Sequence, residues 1–180
     1  MNEPELVRKC RRGDQKAQHE LYNAFADMLY RLAVRYVKDD AEAEDILMVS
    51  FMKIFKGIGG FEYRHEGSLA PWMRRIVVNE ALMSLRKRHN FNLTETLDPD
   101  LEAPDLSSFV DLDAEYIYQL LLTLPPGYRT VFNLYVIEGY DHKEIGELLG
   151  ISDNTSRSQL LKAKSLLKKR IDKEGYRYGT

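Results

Sequence analysis

At 180 residues, 44% hydrophobic and 30% charged, the chain has the composition of an ordinary globular protein with room for one core or two small ones. A formal net charge of −2 excludes a protein that coats nucleic acid by bulk electrostatics. Cys10 stands alone, so no internal disulfide forms. The opening "MNEPELVRKCRRGDQ" carries no apolar signal stretch, so a cytoplasmic setting without membrane insertion is expected.

Ala17, Leu21, Phe25, Met28 and Leu32 recur at helical spacing, which predicts a long amphipathic helix after Asp14, its N-cap. "KDDAEAEDILMVSFMKIF" begins a second helix, with Asp40 as cap and Ala43, Leu47, Phe51 and Ile54 or Phe55 on one face. Glu42, Glu44 and Asp45 read as first-turn carboxylates opposing the helix dipole rather than as an acid–base set. "GIGGFEYRHEGS" is a loop by its four glycines, and it lacks the Gly-Lys-Ser/Thr ending of a phosphate-binding loop. Ser68 caps a third helix to about Arg88, with Pro71 tolerated in the first turn. Leu69, Trp72, Met73, Ile76 and Met83 fall on one side of it, and Arg75, Asn79, Leu82 and Arg86 on another. That second stripe suits a single nucleic-acid strand, with Phe61 and Tyr63 as stacking platforms, while Trp72 shares the apolar side and reads as core.

Residues 90–108 lose periodicity and gain prolines and acids, the mark of a linker. Between 91 and 128 there are eight acidic residues and no Lys or Arg. Basic islands flank this segment: five Lys and Arg against one acid over 71–90, and six against one over 153–170. Helical spacing resumes at "VDLDAEYIYQLLLTL", breaks at Pro125 and Pro126, and resumes through "YRTVFNLYVIEG". Two more helices then meet at an "LGIS" corner. Asp141 and Glu144 form a capping-box pattern, Gly150 suits a helix end with positive φ, Gly146 keeps the first helix thin, and Ser152 caps the second. Ser156, Leu160, Ala163, Leu167 and Ile171 make its inner seam. Thr155, Ser158, Lys162, Ser165 and Lys169 lie opposite, flanked by Arg157, Gln159 and Leu161, a set suited to phosphate and major-groove contacts. A generic helical hairpin would carry the same caps, so at this point both readings stand.

The fold class is all-α: two small helical domains, 1–90 and 110–180, joined by an acidic linker over 91–109, the second a helix-turn-helix domain. His19, His65, His89 and His142 are scattered, without partners at metal-ligand spacing, and no nucleophile motif is present. No enzyme activity, cofactor or metal is expected.

Taken in order, these segments resemble the extracytoplasmic-function (ECF) group of bacterial sigma factors. "RRGDQKAQHELYNAFADMLYRLAVRYVKDDAEAEDILMVSFMKIF" and "APWMRRIVVNEALMSLRKR" are similar to the two ends of region two, and "LLTLPPGYRTVFNLYVIEGYDHKEIGELLGISDNTSRSQLLKAKSLLKKR" to region four. The resemblance implies a protein that binds the RNA polymerase core, reads the minus-ten and minus-thirty-five promoter elements and helps open the duplex. It implies docking of helix 41–55 on the polymerase clamp through Glu44, Asp45, Met48 and Lys53. Arg75, Asn79 and Arg86, with loop 61–68, would engage the minus-ten non-template strand. Arg157, Ser158, Gln159 and Lys162 would read the minus-thirty-five element, with Lys169 on a phosphate. An anti-sigma factor is the further partner the resemblance leaves open. Met48 and Val49 stand where relatives commonly carry Gln and an acid, and Gln159 and Lys162 where arginines are frequent. A stand-alone helix-turn-helix repressor is the alternative; it needs a dimerisation element, and none is evident. The acidic segment between two basic islands is expected to weaken DNA binding by the free protein until core polymerase relieves it.

Overall fold

The sequence reading predicts no helix before Asp14, yet the chain begins with one. The Asn2 side chain accepts the Glu5 amide at 3.1 Å and starts α1 (Glu3–Arg11), which carries acids in its first turn and buries Leu6, Val7 and Cys10. The computed structural model describes residues 2–87 and 114–173, and their regular structure is helical throughout, as expected. No helix among them is long and apolar enough to cross a membrane. The chain divides into two compact units, Met1–Arg88 and His89–Thr180. The expected linker over 91–109 lies outside the described residues, as do Arg88 and His89 beside it.

In the first unit α2 (Gln15–Val37) starts at Asp14, whose carboxylate accepts the Ala17 amide at 3.0 Å. Its buried stripe begins at Ala17 and Leu21 and rotates to Leu29, Leu32, Ala33 and Tyr36, where α2 packs against two neighbours, leaving Phe25 and Met28 half-buried. Those neighbours are α3 (Asp40–Gly57) and α4 (Leu69–Lys87). Asp39, not Asp40, caps α3 by accepting the Glu42 amide at 2.9 Å; Asp40 is the first helical residue and accepts the Tyr30 hydroxyl at 2.8 Å. Ala43, Leu47, Phe51 and Ile54 are buried on one face, as their spacing predicts. On α4 the register differs from the expectation by one step. The seam is Leu69, Met73, Val77, Ala81 and Leu85, widened by Val78 and Leu82, so Leu82 is core and Met83 is exposed. One residue is 100° of rotation, enough to exchange the two.

The second unit holds α5 (Ala114–Leu122), α6 (Pro126–Phe132), α7 (His142–Leu149) and α8 (Asp153–Lys173). The proline corner after α5 is tied from below: Arg129 is buried and donates to the Leu124 carbonyl at 2.7 Å. α6 runs into a π-turn over Asn133–Ile137, closed by the Glu138 amide on the Asn133 carbonyl at 2.9 Å. Such wide turns recur near functional surfaces. Leu134, Ile145, Leu160, Leu167 and Ile171 fill the core, the expected seam of α8 among them.

Candidate nucleic-acid and polymerase interfaces

The corner between α7 and α8 is built as its residues predict. Asp141 accepts the Glu144 amide at 2.8 Å while the Glu144 carboxylate accepts the Asp141 amide at 2.8 Å, a complete capping box. Gly150 ends α7 at φ +70, and Ser152 starts α8 by accepting the Thr155 amide at 3.0 Å. At Gly146 space is the constraint: a Cβ there would lie 2.8 Å from the Ile151 carbonyl oxygen. His142, the first residue of α7, joins the two helices. Its ring stacks on Tyr135 with centroids 4.4 Å apart and its Nδ1 lies 2.9 Å from Ser156 Oγ on α8. Burial, and then the nearby Arg157 charge, push the His142 pKa below its ordinary value, so the imidazole is neutral near pH 7.

The outer face of α8 departs from the expectation. Arg157 and Lys169 are exposed and Lys162 is half-buried, but Ser158 is only 2% exposed and Gln159 only 1%. Gln159 flanks the seam, next to Ser156, Leu160 and Ala163, and burial widens onto it. Ser158 lies opposite the seam. Leu161, Lys162 and Ser165 on the same side are half-buried, so this side of α8 is only partly open to solvent. Neither Ser158 nor Gln159 presents a polar group to solvent, and both are withdrawn from the reading set. Asn154, exposed one turn before Ser158, is a polar residue near the start of α8 that the sequence reading did not single out; its spacing of three to Arg157 was the available signal.

In the first unit Arg75, Asn79 and Arg86 are exposed along α4, with Met83 rather than Leu82 between them. At the first turn of the same helix a groove of about 470 Å³ is lined by Gly60, Phe61, Glu62, Arg64, His65, Ser68, Pro71 and Trp72. Phe61 is 7% exposed and packs on Trp72 with centroids 4.9 Å apart, so it is a wall of the groove rather than a free stacking platform. An aromatic next to glycines can pack inward as readily as outward, and here Trp72 supplies the partner. Tyr63 is half-buried; burial, then the Glu3 and Glu66 carboxylates, raise its phenol pKa. Ser68 Oγ accepts the Arg64 amide at 3.5 Å, and the Leu69 amide at the start of α4 donates to Glu3 at 3.0 Å.

The outward face of α3 carries Glu44, Asp45, Met48 and Lys53, all exposed. The Lys53 ammonium is held at 2.5 Å by Glu80 of α4, so its charge is shared within the unit. Met48 at 66% and Met52 at 71% exposure dominate the face, with Val49 and Met83 beside them. The spacing of four between the two methionines was visible in the sequence, where Met48 was named for this face and Met52 was not.

The sigma-70 region 2 family matches residues 21–91, and the sigma-70 region 4 family matches residues 114–167. The chain is 26% identical over 180 residues to the RNA polymerase sigma-H factor of Pseudomonas aeruginosa, covering 93% of this chain and 92% of that one. It is 30% identical over 169 residues to the ECF RNA polymerase sigma factor SigE of Mycolicibacterium smegmatis, covering 87% of this chain and 63% of SigE. Its fold is similar to that of CnrH in complex with the cytosolic domain of CnrY, at 19% identity and a TM-score of 0.52 over 94% of this chain and 96% of that one. With both sigma regions matched in order on a chain whose described residues fold into helices, the protein belongs to the ECF group of RNA polymerase sigma factors, which bind the polymerase core, recognise promoter DNA and promote transcription initiation.

Proposed function

We propose that the two units divide promoter recognition, with residues 1–90 on the minus-ten element and core polymerase, 110–180 on the minus-thirty-five element, and 91–109 as the tether between them. The observation that carries this is the contrast between the two basic surfaces. Arg75, Asn79 and Arg86 are exposed along α4, whose first turn, through Pro71 and Trp72, forms one wall of an open groove, which suits a separated strand. Asn154 and Arg157 stand at the start of a capped helix, with Lys162 and Lys169 further along, which suits base edges and phosphates of intact duplex.

The polymerase contact is assigned to the exposed face of α3: Glu44, Asp45, Met48 and Lys53, with Met52 added. Met48 in place of the amide common in relatives makes this contact more apolar. The protein acts by binding and positioning rather than by chemistry of its own, and it works in the cytoplasm. An anti-sigma partner is part of the proposal, supported by the fold shared with CnrH, which was solved with CnrY.

A gel shift with and without core polymerase tests the whole reading. The chain alone should shift promoter DNA weakly, and core enzyme should yield a specific complex. Tight specific binding by the free chain at physiological salt would favour the repressor alternative.

A further inference from the structure

We infer that α1 braces the loop lining the groove, with Glu3 and Arg11 as positioning residues for capture of the opened minus-ten strand. This rests on the reading of that groove as the strand site. The sigma-70 region 2 match begins at residue 21, after α1.

From Phe61 to Ser68 the loop contains no regular structure, and its backbone groups need partners from elsewhere. α1 supplies them at both ends. At the loop's exit the two carboxylate oxygens of Glu3 accept separately: Oε2 takes the Gly67 amide at 2.9 Å, and Oε1 takes the Leu69 amide at 3.0 Å. Leu69 is the first residue of α4, so the second bond satisfies an orphan helix amide and sets a negative charge at the positive end of the dipole. Gly67 has φ +86, a conformation that other residues rarely adopt, so the carboxylate also fixes an unusual turn. At the loop's entrance Arg11 donates Nε to the Ile58 carbonyl at 3.2 Å and a terminal nitrogen to the Phe61 carbonyl.

Glu3 and Arg11 are eight residues apart on one helix, which separates the two clips by roughly 12 Å along its axis. Leu6, Val7 and Cys10 bury the stripe between them, so the rod that carries both clips is part of the core. The groove-lining residues Phe61, Glu62, Arg64 and His65 lie between the clipped points. The loop is therefore held open as a preformed wall, and strand binding does not have to order it first. Releasing either clip raises the entropy of the free loop, and strand capture must then meet that cost.

The test uses the full chain in holoenzyme. Glu3→Ala, Glu3→Gln, Arg11→Ala and Arg11→Lys are compared with the parent on a panel of single-base minus-ten variants, with permanganate reactivity of the opened strand as readout. Binding to minus-thirty-five variants and affinity for core polymerase are measured in parallel. Glu3→Ala and Arg11→Ala should each reduce opening roughly fivefold, the size of one net hydrogen bond, and flatten the preference among minus-ten bases. Upstream binding and core affinity should be unchanged. Glu3→Gln, which keeps one acceptor, and Arg11→Lys, which keeps one donor centre, should fall between. Amide exchange at Gly67 and Leu69 should rise in Glu3→Ala.

A purely structural role would reduce activity on every promoter in proportion to the unfolded fraction, with minus-ten preference intact, and that result overturns the inference. Asn79→Ala separates the two levels. If it flattens the minus-ten panel while the Glu3 and Arg11 variants do not, the brace is wrong and the strand site stands. If none of these variants affects the panel, the strand site is wrong and the brace falls with it.

Discussion

Gly146 and Gly150, four residues apart at the helix-turn-helix corner, constrain it for different reasons, and alanine separates them. Gly146 is helical, so Gly→Ala alone should stabilise α7 by about 1 kcal/mol. Against that, the new Cβ would lie 2.8 Å from the Ile151 carbonyl oxygen, and backbone must shift. Overpacking of this kind costs about 1–3 kcal/mol, so the net expectation is a loss of roughly 1 kcal/mol and a displaced α8. At Gly150 no atom lies within 4 Å of an added Cβ, but φ is +70. Alanine there pays the left-handed cost of about 1–2 kcal/mol with no steric push on α8. The single tryptophan, Trp72, is in the first unit, so its fluorescence reports that unit, while circular dichroism reports both. Urea unfolding of each variant should move the dichroism transition and leave the Trp72 transition unchanged. Gly146→Ala should also lose minus-thirty-five recognition beyond its stability change, whereas Gly150→Ala should keep it. If Gly146→Ala proved more stable than the parent, close approach at the corner would not be what selects glycine there.

Asn79→Ala should impair strand opening or minus-ten selectivity with upstream binding intact, and Arg157→Ala should weaken discrimination at one upstream base pair by about 1–3 kcal/mol; a promoter-mutant panel with permanganate footprinting reads both. Lys169→Ala should weaken binding to all sequences alike and reduce the slope of log affinity against log salt by about 1, measured on the holoenzyme by salt titration. Gln159→Ala, at a buried position, should lower the urea midpoint of the second unit by an amount worth about 1–3 kcal/mol without changing base preference, the reverse of a reading residue. Because the folded His142 pKa is depressed below 6.5, the unfolded chain binds the proton more readily, so the His142 contribution to stability is present above about pH 6.5 and lost as pH falls below it; His142→Gln should remove that part of the pH dependence in urea melts.

The helix-turn-helix was legible because its signals are local. Asp141, Glu144, Gly150 and Ser152 act on backbone groups within four residues, so their spacing alone specifies the corner. Periodicity likewise located α2, α3, α4 and the seam of α8. What escaped was rotation and distance. Leu82 and Met83 are both apolar neighbours, and only packing decides which faces inward. Phe61 finds Trp72 eleven positions away, and Glu3 finds Gly67 across sixty-four, contacts with no local trace. α1 did carry signals in Asn2, Pro4 and the spacing of Leu6, Val7 and Cys10, but its basic end obscured them. Burial of Ser158 and Gln159 depends on what covers a helix face, which spacing does not encode.

The central claim is the division of labour between the two units within a sigma factor. It is tested most directly by run-off transcription with purified core polymerase, comparing the parent chain with Asn79→Ala and Arg157→Ala on promoters altered in one element at a time. The account predicts that transcription depends on the added chain, that Asn79→Ala loses sensitivity to minus-ten changes only, and that Arg157→Ala loses sensitivity to minus-thirty-five changes only. Transcription indifferent to the chain, or exchanged sensitivities in the two variants, would contradict it.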